Sequence, residues 1–191
     1  MPSTCTPICG DGIVVQGEIC DDGGTSDLDK CLADCSGPVS GYFCWGGSIT
    51  SPSSCIEVCG DGVLTPSEAC DDDFIVDGDG CTSGCDIETG WTCLNTPMPS
   101  VCDEKCGDGR RVGNEYCDDG NLVNSTNCND QCNGPAWGYA CTGGDVNTAS
   151  TCATICGDGY KTPDEGCDDF NLINLEGCDA FCFVEAGWTC S

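Results

Sequence analysis

A Cys-Gly-Asp-Gly turn occurs four times in this chain, and after each one the cysteines fall at the same distances. No other feature restricts the fold so much. The turns begin at Cys9, Cys59, Cys106 and Cys156, in steps of 50, 47 and 50 residues. The next cysteine always lies 11 residues on (Cys20, Cys70, Cys117, Cys167), and a third lies 11 further (Cys31, Cys81, Cys128, Cys178). A fourth follows after 4 residues (Cys35, Cys85, Cys132, Cys182) and a fifth after 8 or 9 (Cys44, Cys93, Cys141, Cys190). A sixth closes the unit after 9 or 11 (Cys55, Cys102, Cys152). A fixed period of this size marks a repeat architecture. The repeats read as 1–58, 59–105, 106–155 and 156–191. Cys5 stands as the last cysteine of a preceding repeat, and the fourth repeat lacks its own sixth. The first and third repeats carry Gly-Tyr ahead of the fifth cysteine, whereas the second and fourth carry Glu-x-Gly-Trp-Thr-Cys. The full period is therefore a pair of repeats, 97 residues from Cys5 to Cys102.

Cysteine makes up 24 of the 191 residues, a fraction that marks a disulfide scaffold and an oxidising, extracellular setting. Repeats of about 50 residues bury little apolar surface, so disulfides or metals replace the missing core. The net charge of −28 argues against nucleic acid and anionic membranes, which need Lys and Arg, and favours cations. No stretch is apolar enough to insert into a bilayer. The first seven residues hold no apolar signal-peptide core. A secreted chain has then lost its signal or is a segment of a longer one.

Secondary structure is expected to be sparse. Residues 13–15 and 63–65 are short β-prone runs after Asp-Gly turns. Residues 42–45 and 90–94 suggest one arm of a hairpin whose return arm holds the sixth cysteine. The Ser-, Thr- and Pro-rich stretches between, 48–54 and 95–100, read as exposed tips. Each Cys-x3-Cys pair fits a single helical turn. The expected fold is a set of small disulfide-rich tandem repeats, mostly loops with short β-hairpins and single helical turns, arranged as an elongated rod. The hairpins imply Cys44–Cys55, Cys93–Cys102 and Cys141–Cys152 bridges. The other pairings stay open, since six cysteines allow 15 connectivities.

The pattern CGDG…Glu-x-Cys-Asp-Asp…Gly-Cys-x3-Cys…Glu-x-Gly-Trp-x-Cys resembles the extracellular cysteine-rich repeats described from myxobacteria and many protists. The likeness covers nearly the whole chain. That family's Cys-Asp-Asp-Gly-Asn survives whole only at residues 117–121, and its Gly-Asp-Gly-Cys only at 78–81. The resemblance implies modules of large surface or secreted proteins, and so location and architecture more than activity. A fainter likeness is to calcium-binding Notch-type repeats, which are also small, acidic and disulfide-stapled.

Four carboxylates recur in every repeat: Asp11, Glu18, Asp21 and Asp22; Asp61, Glu68, Asp71 and Asp72; Asp108, Glu115, Asp118 and Asp119; Asp158, Glu165, Asp168 and Asp169. Two carboxylates about 5 Å apart repel by roughly 3 kcal/mol at an effective dielectric near 20. Calcium, which takes oxygen ligands in turn-rich loops, would relieve that repulsion. The alternative is that Asp caps turns, as Asp-Gly pairs commonly do. Zinc is disfavoured, because His is absent and the close pairs are Cys-x3-Cys rather than Cys-x2-Cys. Without His there is no Ser-His-Asp or Cys-His arrangement, so an enzyme is not expected. Trp91, Trp188, Tyr42 and Tyr139 lie in Gly-aromatic-x-Cys and are expected to pack on the neighbouring disulfide, with sugar binding as the alternative. Asn124 heads an N-glycosylation sequon.

These features point to an extracellular or cell-surface structural protein, with calcium-stabilised repeats assembling head to tail into a filament or coat. A recognition module for a protein or glycan is the alternative. Cys190 lacks a sixth-cysteine partner and Cys5 a fifth. The period places the missing partner of Cys190 near position 199, where Cys5 of a following copy would fall. A head-to-tail contact that does not close generates a filament, so a Cys190–Cys5 bridge between chains is expected.

Overall fold

The computed structural model describes residues 3–123 and 127–190. Its regular elements are three antiparallel hairpins: β1 (Tyr42–Ser48) with β2 (Ser51–Glu57), β3 (Trp91–Leu94) with β4 (Val101–Glu104), and β5 (Tyr139–Thr142) with β6 (Thr151–Thr154). Register places Cys44 opposite Cys55 and Cys141 opposite Cys152. Each pair is bridged, and so is Cys93–Cys102. The return arms expected at the sixth cysteine are therefore present.

Two local expectations need correction. The Cys-x3-Cys segments form no helical turn, and no helix occurs among the described residues. Instead Cys35 donates its N–H to the carbonyl of Leu32 at 2.8 Å, a single β-turn. Cys35, Cys85, Cys132 and Cys182 all have left-handed backbones, with φ of 56, 58, 52 and 60°. A side-chain-bearing residue rarely adopts that conformation, and it cannot continue a right-handed helix. The runs at 13–15 and 63–65 form no strand. Val14 instead donates one hydrogen bond to the Ser48 carbonyl.

The core of each repeat is its disulfides. The first cysteine pairs with the fourth (Cys9–Cys35, Cys59–Cys85, Cys106–Cys132, Cys156–Cys182), and the second with the third (Cys20–Cys31, Cys70–Cys81, Cys117–Cys128, Cys167–Cys178). The second, third and fourth cysteines are buried in every repeat. Large apolar side chains such as Leu28, Ile75 and Phe181 stay exposed. Sulfur thus fills the volume that aliphatic residues fill in larger domains.

The chain leaving each hairpin is tied back at the same place. The chain leaving β2 donates Val58 N–H to the Gly41 carbonyl, and the same bond recurs as Lys105 to Gly90 and Ile155 to Gly138. A Cβ at Gly41 would lie 2.6 Å from a methyl of Thr65, at a φ of +87°, so only glycine fits. The described residues pack as two compact units. One holds everything up to Asp77 with Cys81–Ile87 and Cys93–Cys102. The other holds Gly78–Gly80, Glu88–Thr92 and everything from Asp103.

Candidate functional site

The Cys-Gly-Asp-Gly turn points its successive N–H groups into one hollow. Alternating backbone conformations make such a turn an anion nest, and the anion here is the chain's own. Asp21 Oδ2 accepts from Gly10 and Asp11 at 2.8 and 3.2 Å, and Oδ1 accepts from Gly12 and Gly23 at 3.0 and 2.8 Å. Asp71 takes Gly60, Asp61, Gly62 and Asp73 in the same way. Asp118 takes Gly107, Asp108, Gly109 and Gly120. Asp168 takes Gly157, Gly159 and Phe170. A Cβ at Gly10 would meet the Gly24 carbonyl oxygen at 2.6 Å, so glycine is what lets the turn close on the carboxylate. Burial pushes the Asp21 carboxyl up, but bonds from Gly23, Gly12, Gly10 and Asp11 outweigh it and hold the group below its ordinary value. Asp168 is lowered by the same opposition, burial against the N–H bonds. Their stabilisation is present above the unfolded pKa, near 3.9, and is lost as pH falls through the folded value.

Most of the neighbouring carboxylates are also spent on backbone N–H groups; Asp108 differs, its Oδ1 buried without a partner. Glu18, Glu68, Glu115 and Glu165 each use Oε2 to cap the residue three positions back, at 2.9, 2.7, 2.9 and 2.9 Å. Asp11, Asp61 and Asp158 accept from the residue two positions on. Asp22 Oδ2 accepts from Lys30 and Cys31 and Oδ1 from Gly24, which ties down the loop between the second and third cysteines. Asp119 repeats this with Cys128 and Asn121, and Asp72 caps Phe74.

This donor set does not fit calcium at the hub. A carboxylate offers about four lone-pair sites, and three N–H groups of the turn with that of the residue two positions after the aspartate fill those of Asp21, Asp71 and Asp118. Hydrogen bonds to a charged group are worth about 1.5–3 kcal/mol each. They offset the carboxylate repulsion that would otherwise call for a cation. In the second to fourth repeats Glu68, Glu115 and Glu165 lie within 4.8 Å of the hub Asp and of disulfide sulfur. Oxidised sulfur offers no thiolate to a metal. That leaves little beyond Oε1 of the Glu and, in the third repeat, the buried Asp108 Oδ1, where calcium takes 6–8 oxygens.

Oε1 of Glu18, Glu115 and Glu165 is buried without a hydrogen-bond partner. Burial raises the Glu115 pKa, opposed by the Val112 N–H bond and reinforced by Asp118, Asp108 and Glu104. A raised carboxyl favours the neutral form in the fold. Its contribution is favourable below the unfolded pKa and is lost as pH rises through the folded value. Glu115→Gln keeps an oxygen for Val112 and turns an NH2 toward Asp118. Its Tm is expected above wild type at pH 7, with the difference closing below about pH 4. An equal or lower Tm at pH 7 contradicts this.

The residues that sequence reading passed over are serines. Ser53, Ser100 and Ser150 lie in the expected exposed tips or return arms, yet are 8, 4 and 7 % exposed. Each donates its N–H to the carbonyl of the hub Asp at 2.6 Å. Each also accepts the hub N–H on Oγ, at 3.2, 3.0 and 3.1 Å. The signal was a Ser two residues before every sixth cysteine. Among the aromatics, Tyr139 is buried and its hydroxyl donates to Asp164, Tyr42 donates to Glu57, and Trp188 stays half-exposed. Cys5 and Cys190 are exposed free thiols. Asn124 lies outside the described residues.

No curated protein and no solved structure matches the chain. One family model matches it four times in tandem, at residues 2–36, 43–86, 88–133 and 138–183. Those matches span the Cys-Gly-Asp-Gly turns, the hub carboxylates and the first-to-fourth disulfides of all four repeats, so the chain belongs to the family described as Domain of unknown function (DUF4215).

Proposed function

We propose that the chain is an extracellular structural protein whose repeats join head to tail into a fibre or surface coat. The supporting observation is where its polar chemistry goes: hub carboxylates, capping glutamates and return-arm serines all bind the chain's own backbone. Each repeat is built to persist in an oxidising medium, with up to three disulfides and no need of a hub cation. Native material run without reductant is expected to give a ladder in steps of the 19.7 kDa chain that collapses on reduction, and filaments in electron micrographs. A free monomer without reductant, or one large chain that survives reduction, overturns the reading.

One observation favours recognition instead. Phe43 and Trp45 stack at 6.0 Å and are 57 and 47 % exposed. Trp45 borders a cleft of about 600 Å³ lined by Asp22, Asp29 and Lys30. Aromatic faces beside carboxylates suit a glycan. Glycan binding that is lost in Trp45→Ala would carry this second reading.

A further inference from the structure

We infer that Met98 is a modification site for hydroperoxides. Its thioether ties the tip of the β3–β4 hairpin to the segment behind the second Cys-Gly-Asp-Gly turn, and oxidation to the sulfoxide releases that tie. The site stands apart from the head-to-tail reading.

The tie has a counterpart in two sister repeats. In each, the residue five positions after the first cysteine of the turn donates its N–H to the hairpin tip. Val14 donates to the Ser48 carbonyl and Arg111 to the Asp145 carbonyl, both at 3.1 Å. In those hairpins the bridged cysteines stand 11 residues apart, whereas in the second repeat they stand 9 apart. The shorter tip presents a side chain in place of a carbonyl: Leu64 N–H donates to Met98 Sδ at 3.3 Å. Leu64 and Met98 belong to the same compact unit. Met98 is also the one methionine among the described residues, so a peroxide meets a single thioether there.

A thioether is a weak acceptor, and it is the group that peroxides convert to a sulfoxide. Its sulfur carries a pair of lone pairs. Leu64 N–H occupies one, and Met98 is 51 % exposed, so the other is the one a peroxide reaches. That lone pair attacks an oxygen of ROOH. An S–O bond forms, the O–O bond breaks, and the departing alkoxide takes up the proton of the attacked oxygen and leaves as ROH. Sulfur is oxidised by two electrons and the peroxide is reduced by two. The new oxygen points to solvent. The lone pair still facing Leu64 now belongs to a sulfur left electron-poor by the S–O bond, and the N–H loses its acceptor. Attack through one lone pair also fixes the configuration at sulfur, so the fold yields one sulfoxide epimer.

The test treats the 191-residue chain, disulfides intact and free thiols blocked with N-ethylmaleimide, with hydrogen peroxide at neutral pH. The product is then reduced, digested and offered to the two methionine sulfoxide reductases, each specific for one epimer. One of them is expected to repair about nine-tenths or more of the Met98 sulfoxide. Oxidation of the reduced, unfolded chain is expected to give both epimers in about equal parts. Amide exchange at Leu64 is expected to be about fivefold faster in the oxidised folded chain, the equivalent of ~1 kcal/mol, with Val14 and Arg111 unchanged. Met98→Leu conserves volume but offers no acceptor. It is expected to show the same faster exchange at Leu64 without peroxide, and no further change with it. Equal epimers from the folded chain overturn the one-sided attack. Leu64 exchange that oxidation leaves unchanged overturns the release, and Met98 that survives peroxide sufficient to oxidise the unfolded chain overturns the site.

Discussion

Asp71→Asn is expected to cost about 4 kcal/mol, although it changes only one atom's identity. Asp71 Oδ2 receives Gly60 and Asp61, and Oδ1 receives Gly62 and Asp73, at 2.9–3.3 Å. Asparagine keeps one oxygen and turns an NH2 toward the other two donors. Each buried donor left without an acceptor costs ~1–3 kcal/mol. For a chain of this length the loss corresponds to a Tm lower by roughly 8–16 °C. Amides of Gly60 and Gly62 should exchange faster, while Gly107 and Gly109 of the third repeat keep their protection. Asp61→Asn is the control: an amide oxygen still accepts from Val63, and the change should stay within about 0.5 kcal/mol. Equal effects of the two substitutions would remove the hub from the account.

Removal of the second-to-third disulfide by Cys70→Ala with Cys81→Ala should be as damaging. The two cysteines are 0 and 1 % exposed and form the centre of their repeat. Loss of a native disulfide from a small domain of this kind costs ~2–5 kcal/mol, and no aliphatic cluster stands behind this one. The loop it closes also carries Asp71, so the hub is loosened with it. Oxidative refolding should give mixed partners for Cys59 and Cys85. The cross-strand pair Cys44–Cys55 is only half-buried, and its removal should fall at the low end of that range with correct pairing elsewhere. A second repeat that refolds with native Cys59–Cys85 at wild-type yield contradicts the expectation.

The cysteine period carried the repeat count and the hairpin bridges, because Cys93 and Cys102 are too close in sequence for most other geometries. It did not carry the first-to-fourth and second-to-third pairings. Spacing alone leaves those degenerate, and the left-handed backbone of Cys35 and its equivalents is not a property cysteine advertises. Charge was legible and its use was not. A sequence shows Asp21 beside Asp22, but not that the glycine-rich turn at 10–12 folds its N–H groups onto the first of them. That is why repeating acidity left calcium and turn capping as alternatives. Ser53, Ser100 and Ser150 were hidden for a similar reason: serine among Thr and Pro reads as a solvated tip until its main-chain partner is seen.

The central claim is that each Cys-Gly-Asp-Gly turn is held by the chain's own aspartate and its disulfides rather than by a bound cation. Amide hydrogen exchange of the disulfide-intact protein at neutral pH, in EDTA and then in excess calcium, tests it most directly. The account predicts that Gly10, Gly12, Gly60, Gly62, Gly107 and Gly109 are protected in EDTA and little changed by calcium. Free exchange at these glycines in EDTA, with protection restored by calcium, would contradict it.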